Sequence, residues 1–333
     1  MDKLQIEPTE RQALRQLLDE MEGGFENLES DEALHTYTVF AHRLPSRIRL
    51  ALNAFRLERM SGVLCISGYV VDQDRIGPTP AHWRDRATPS TTRREELLLI
   101  LFSSLLGNPF GWATQQDGRL IHDVLPIKGH ENEQLGSSSE SLLTWHTEDS
   151  FHPLRGDFLS FACLRNPDAA ATTVGYADSL ELPDATKAIL FQERFCIHPD
   201  ESHLAKNNST SNMEAFTEIE KMQRNPDRVA VLFGNRAQPY IRADPYFMSI
   251  GPDDHEAQSA LDHLIKEMDA NMFDLRLESG DFCFLDNFRV VHGRKPFKAR
   301  HDGTDRWLKR LNVACDLRKS RAARLGESSR SIS

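Results

Sequence analysis

The sequence predicts a mainly β protein with helices packed around the outside, and three observations carry that prediction. From residue 119 onward, short apolar runs alternate with polar turns, the pattern of a sandwich or barrel. Before residue 107 the apolar residues recur mostly at helical spacing instead. No internal repeat and no linker divides the 333 residues, so a single domain over 1–333 is expected.

The elements follow in order. Thr9-Glu10-Arg11-Gln12 fits a capping box, and Leu14, Leu17, Leu18 and Met21 follow on one helical face. A second helix is expected over 46–60, where Ile48, Leu52 and Phe55 share a face, which makes 1–60 a helical N-terminal part. Val63-Leu64-Cys65-Ile66 reads as a buried strand, and 93–106 as a helix ended by Gly107-Asn108-Pro109. Strands are expected over 119–127, 157–164, 171–177, 228–233, 239–242, 273–277, 281–285 and 307–315. Helices over 184–192 and 255–272 interrupt them. The polar stretch 206–225 reads as an insertion or lid, and 317–333 as a loose basic tail.

Composition narrows the function classes. A net charge of −10 argues against nucleic acid as a partner, because phosphate binding needs a cationic surface. The chain has no run of about 18 apolar residues, so no membrane span is expected. The polar start Met1-Asp2-Lys3-Leu4-Gln5 does not read as a signal peptide. Cys65, Cys163, Cys196, Cys283 and Cys315 are scattered and odd in number, which fits reduced core residues of a cytoplasmic protein.

One constellation carries chemistry. In Trp145-His146-Thr147-Glu148-Asp149, an imidazole and a carboxylate lie two residues apart, and on extended backbone such side chains share a face. Two histidines and a carboxylate form the facial set that leaves positions open on iron(II). His292, in Val290-Val291-His292-Gly293-Arg294, is the best candidate for the third ligand. Arg306 lies 14 residues beyond His292 and opens the strand expected at 307–315. Antiparallel pairing of that strand with the preceding one would bring Arg306 near the metal, where its fork would suit a carboxylate. The alternative for Arg306 is a surface ion pair with Asp302 or Asp305.

His146-Thr147-Glu148-Asp149, Val291-His292-Gly293-Arg294 and Asp302-Gly303-Thr304-Asp305-Arg306-Trp307-Leu308-Lys309-Arg310 resemble the motifs of the clavaminate synthase-like Fe(II)/2-oxoglutarate-dependent dioxygenases. Phe110-Gly111-Trp112-Ala113-Thr114-Gln115-Gln116-Asp117-Gly118-Arg119, the run 123–129 and Asn207-Asn208-Ser209-Thr210 are similar to their free basic amino acid hydroxylase branch. That branch includes the viomycin arginine β-hydroxylase and the L-lysine dioxygenases, and the similarity spans about 44–320. The resemblance implies a double-stranded β-helix (jelly-roll) core, with iron(II) on His146, Glu148 and His292. It implies 2-oxoglutarate on Arg306, supported by the Thr173 hydroxyl, and O2 as the oxidant. For a small-molecule amino acid substrate, Arg310 would hold the α-carboxylate, and Gln115 with Glu148 the α-amino group.

Asp200, Ser202 and Asp244 match residues that hold the substrate side chain in that branch, but Tyr246 stands where a second acid is expected. An ammonium can be satisfied by single oxygens and an aromatic face, whereas a guanidinium gains most from a carboxylate fork. The expectation is therefore L-lysine hydroxylation at C3 or C4, giving hydroxylysine, succinate and CO2, with L-arginine as the alternative. Asp244 and Tyr246 could equally sit on an outward-facing loop. A non-catalytic metal-binding jelly roll is the rival from another class.

Overall fold

The computed structural model describes residues 1–208, 213–326 and 328–333. Its N-terminal part holds three α-helices, Pro8–Met21, Asp31–Phe40 and Ser46–Arg56, where two were expected. The first is capped by Glu7, whose backbone N–H donates to Glu10 at 2.9 Å, so Thr9 falls inside the first turn. Pro8 explains the shift: its fixed φ and missing N–H suit the first helical position. The unforeseen helix is signalled by Ser30, whose hydroxyl accepts from the Ala33 N–H, and by Asp31 and Glu32 in the first turn. These helices pack on Arg93–Ser104, whose run from Leu97 to Phe102 is fully buried between them and a sheet.

Among the described residues the largest sheet has eight strands. Their order is Asp2–Gln5, Val63–Ser67, Phe282–Asp286, Phe158–Arg165, Trp307–Ala314, Asn108–Trp112 and Ser331–Ile332, with Ile121–Val124 also paired to Trp307–Ala314. A second sheet orders Phe273–Leu275, Thr172–Tyr176, Val290–Arg294 and Leu143–His146. The two face each other across one apolar layer: Leu159, Phe161, Leu285 and Leu308 from the first meet Val174, Leu275 and Val290 from the second. Helix His255–Asn271 covers the outer face of the second sheet, where the absence of a side chain at Gly175 admits the sulfurs of Met268 and Met272.

The strand Trp307–Ala314 does not pair with Val290–Arg294, contrary to expectation. It lies in the opposite sheet, because the connection 295–306 is too long for a tight hairpin and crosses between layers. His292 and Arg306 therefore meet across the space between the sheets. The expected strand 228–233 splits into Arg228–Val229, on Phe195–Ile197, and Leu232–Asn235, on Gln238–Ile241.

Two segments expected to be loose hold regular structure among their described residues. Ser331–Ile332 adds a parallel edge to Gly111–Trp112, and Ile332 is buried against Phe110 and Trp112, where a loose tail was expected. Within 206–225, Met213–Arg224 is an α-helix burying Ala215, Phe216 and Ile219, while 209–212 lie outside the described residues. With them go Ser209 and Thr210 of the motif quoted above. Among the described residues, no helix is long and apolar enough to cross a membrane.

Candidate metal centre and substrate cavity

His146 ends the strand Leu143–His146 and sits directly opposite His292 in the antiparallel ladder. Residues directly opposite each other put their side chains on the same face, and the two imidazole centroids lie 4.6 Å apart. Glu148 follows two residues on. Its Oε2 is 3.9 Å from His146 Nε2 and 3.4 Å from His292 Nε2. His146 Nδ1 lies 2.8 Å from the Thr144 carbonyl, to which it donates, so its Nε2 carries the free lone pair. One ligand atom from each of the three residues falls within 4.8 Å of the others.

Burial opposes charge on Glu148, yet the Arg310 guanidinium and the two imidazoles outweigh it and hold the carboxyl far below its usual range. Burial and the neighbouring His146 hold His292 below the ordinary histidine range, in the neutral form that a metal ligand requires. Two imidazoles and an ionised carboxylate converging on one point, with a cavity on the open side, fit a divalent metal with exchangeable positions.

The cavity, about 840 Å³ counting its mouth, lies between the two sheets. Arg306, just before the strand Trp307–Ala314, and Leu308 and Arg310 within it line the cavity in alternation from an interior strand of the larger sheet. Arg306 is buried, donates to Thr172 Oγ1 at 3.3 Å and leaves its Nε without a partner. Asp305 does not neutralise it, since its two oxygens accept the backbone N–H groups of Arg300 and His301, each at 2.7 Å. Asp302 is engaged with Thr304. Burial lowers the Arg306 pKa only to about 10, so the group stays cationic. A buried guanidinium that faces the cavity and has no carboxylate ion pair among the described residues is poised for an anionic ligand.

The hydroxyl that meets Arg306 belongs to Thr172, not Thr173. Strand alternation is the reason: Thr172 and Val174 face the interior, whereas Thr173 lies beside Gly293 on the outer face.

Arg310 pairs with Glu148, donates to Gln115 Oε1 at 3.1 Å and reaches His122 Nδ1 at 2.8 Å. Burial and Arg310 push His122 down to about 3, so it is neutral and accepts at Nδ1 while Nε2 donates to the Arg119 carbonyl at 2.9 Å. Gln115 also donates to Ser202 Oγ at 2.6 Å. Asp200, Ser202 and Asp244 all line the cavity. Burial raises the Asp244 carboxyl to about 6, and Asp200 adds to the effect. Neither carboxylate has an arginine or lysine in an ion pair among the described residues, so both lend the cavity acidic character.

Tyr246 is 59% exposed and does not line the cavity; its neighbour Phe247 does. Its expected part in substrate selection therefore has no geometric basis, and the argument for lysine built on it falls. Asn287 also serves the site, although the sequence carries no motif that marks it. Its amide accepts the Glu148 N–H at 2.7 Å and donates to the Glu148 carbonyl at 3.0 Å, clamping that peptide. Arg294 was likewise quoted only for resemblance, yet it binds Ser138 Oγ at 2.7 Å and the Ser139 carbonyl at 3.0 Å. It thereby ties down the segment whose Gln134, Leu135 and Gly136 form a cavity wall.

Residues 93–312 match the family described as taurine catabolism dioxygenase TauD, TfdA family. The chain belongs to the TauD/TfdA family. It is an enzyme of the iron- and 2-oxoglutarate-dependent dioxygenase type. It is 45% identical over 338 residues to the enduracididine beta-hydroxylase of Streptomyces hygroscopicus, with 99% of each chain covered. It is 44% identical over 334 residues to the L-ornithine/L-arginine 3-hydroxylase of Catenulispora acidiphila, with 97% of each covered. The non-heme iron oxygenase OrfP, solved with Fe, succinate and (3S)-hydroxy-L-Arg, superposes with a TM-score of 0.96 at 45% identity over 100% of both chains. By contrast, the L-lysine 3-hydroxylase of Catenulispora acidiphila is 32% identical over 85% of this chain and 76% of its own length. The preference for lysine over arginine is thus corrected, and the arginine alternative is the better supported.

Proposed function

We propose that the chain hydroxylates a free guanidine-bearing L-amino acid of the arginine class at C3, with iron(II) on His146, Glu148 and His292. Arg306 and Thr172 would receive the distal carboxylate of 2-oxoglutarate. The observation that carries the substrate reading is the cavity's charge: Arg310 lines it, and so do the carboxylates Asp200 and Asp244, neither of which has an arginine or lysine ion pair among the described residues. An amino acid with a cationic side chain matches this arrangement of charge. Similarity to hydroxylases whose names specify the β or 3 position supports C3.

When bound, iron with 2-oxoglutarate and O2 supplies the oxidising power for an unactivated C–H bond, and succinate and CO2 leave as co-products. The protein's residues supply position. Arg310 and Gln115 would orient the amino acid's head, Asp200 and Asp244 would hold its guanidinium, and Phe161, Leu308 and Val124 would keep water from the reacting carbon. The two facing sheets, of eight and four strands among the described residues, support a double-stranded β-helix reading. Free cysteines and the lack of a membrane-crossing helix among the described residues are consistent with the cytoplasm.

The test is succinate release from 2-oxoglutarate with iron and each of the twenty amino acids in turn. The proposal expects strong stimulation by L-arginine; no stimulation by any basic amino acid would overturn it.

A further inference from the structure

The carboxylates Asp200 and Asp244 that line the cavity sit on two different segments, and the segment carrying Asp200 and Ser202 has little regular structure. It runs as two short 3-10 turns, Glu201–His203 and Ala205–Asn207, with no strand pairing among the described residues. Within 201–208, His203 is the one residue classed as buried. Its Nε2 lies 3.0 Å from Asp149 Oδ1 and its Nδ1 lies 2.8 Å from Thr114 Oγ1. The ring packs against Phe151 at 4.9 Å and Trp112 at 5.6 Å between centroids.

Asp149 follows Glu148 directly and takes a left-handed backbone, with φ of 50°. Besides His203, its buried carboxylate accepts from Trp112 Nε1 at 2.5 Å, Asn312 Nδ2 at 3.2 Å and Gln115 Nε2 at 3.4 Å. Trp112 and Asn312 belong to paired strands of the large sheet, so the carboxylate is a fixed point. Gln115 repeats the linkage, reaching both Asp149 and the Ser202 hydroxyl.

We propose that His203 is a positioning residue for substrate selection, holding Asp200 and Ser202 in place by hanging their segment from Asp149. The proposal rests on the basic-substrate reading above. His203 does not line the cavity and acts only through its neighbours. The distance between Asp200 and Asp244 decides how well a guanidinium is gripped, and His203 sets the Asp200 side of that distance. Removing a buried hydrogen-bond partner of a carboxylate leaves that carboxylate under-satisfied, and the segment is then free to shift.

The experiment compares wild type with His203→Phe, which retains ring packing but deletes both polar contacts, and with His203→Gln, which restores a donor towards Asp149. KM for L-arginine, Kd for Co2+ and Kd for 2-oxoglutarate are measured on each. The expected result is a rise of about tenfold or more in KM for His203→Phe, partly recovered in His203→Gln, while both Kd values stay within about twofold. An unchanged KM, or a KM and Co2+ Kd that worsen together, overturns the proposal; the second outcome would mark His203 as a support of the metal loop. If His203→Phe fails to fold, Thr114→Val removes the outer contact alone, and the same split at smaller size is expected. A wild type that turns over no basic amino acid sinks the substrate reading and this inference together. A working wild type with an unmoved His203→Phe sinks this inference alone.

Discussion

Arg306 and Tyr246 show how differently single residues can be read from a sequence. Arg306 is buried, keeps its charge and faces a cavity, so its fork geometry should matter more than its charge alone. Arg306→Lys is expected to raise KM for 2-oxoglutarate by roughly tenfold while KM for the amino acid changes little, as steady-state kinetics would report. Tyr246 is exposed, so Tyr246→Asp is expected to alter the L-arginine to L-lysine ratio of kcat/KM by less than about twofold. A larger change would return Tyr246 to the substrate site. His146, Glu148, Arg306 and Arg310 were legible because spacings of two and four along extended chain keep side chains on one face. Thr172 was missed in favour of Thr173 because a shift of one residue reverses the face. Asn287 carried no signal as a ligand-loop clamp, because its role depends on a peptide 139 residues away in sequence.

At the scale of elements, local patterns located most strands and helices to within a few residues, and tertiary pairing decided the rest. The helix at 31–40 carried a readable cap at Ser30, but its two-sided apolar pattern hid it. The edge strand at 331–332 was unreadable, because two residues gain strand geometry only from the edge they join. One element contact has a clear energetic consequence. Lys309, fully buried on the outer side of its strand, pairs with Asp123 and lies 3.0 Å from Glu96 on the helix Arg93–Ser104. Lys309→Met leaves two buried carboxylates without that cation and is expected to cost about 3–5 kcal/mol, measured by urea unfolding near pH 7. The pH dependence follows from the same contact. Burial opposes charge on Glu96, but Lys309 and Arg86 overcome it and lower its pKa from 4.5 to about 2. A depressed carboxylate stabilises the fold above its unfolded pKa and loses that contribution as pH falls. Wild type should therefore lose stability between about pH 4.5 and 2, and Lys309→Met should show a flatter profile there.

At the scale of the molecule, the site exists because two sheets face each other. The smaller sheet brings His146 and His292 together, the larger brings Arg306 and Arg310, and Glu148 stands between them on the loop leaving the smaller sheet. The sequence reading placed these residues near one another but by the wrong route, through a hairpin that does not exist, since it carried no information on which layer each strand joins. The connection 295–306 held that information in its length. The carboxylates Asp200 and Asp244 come from segments outside both sheets, which is why the substrate was harder to read than the metal. The most direct measurement is a competition between equimolar L-arginine and L-lysine with iron, 2-oxoglutarate and O2, with the products assigned by mass spectrometry and NMR. The account predicts a product derived from L-arginine, bearing one added oxygen at C3 and formed with one succinate per turnover. Preferential hydroxylation of L-lysine, or oxygen at another carbon of arginine, would contradict it.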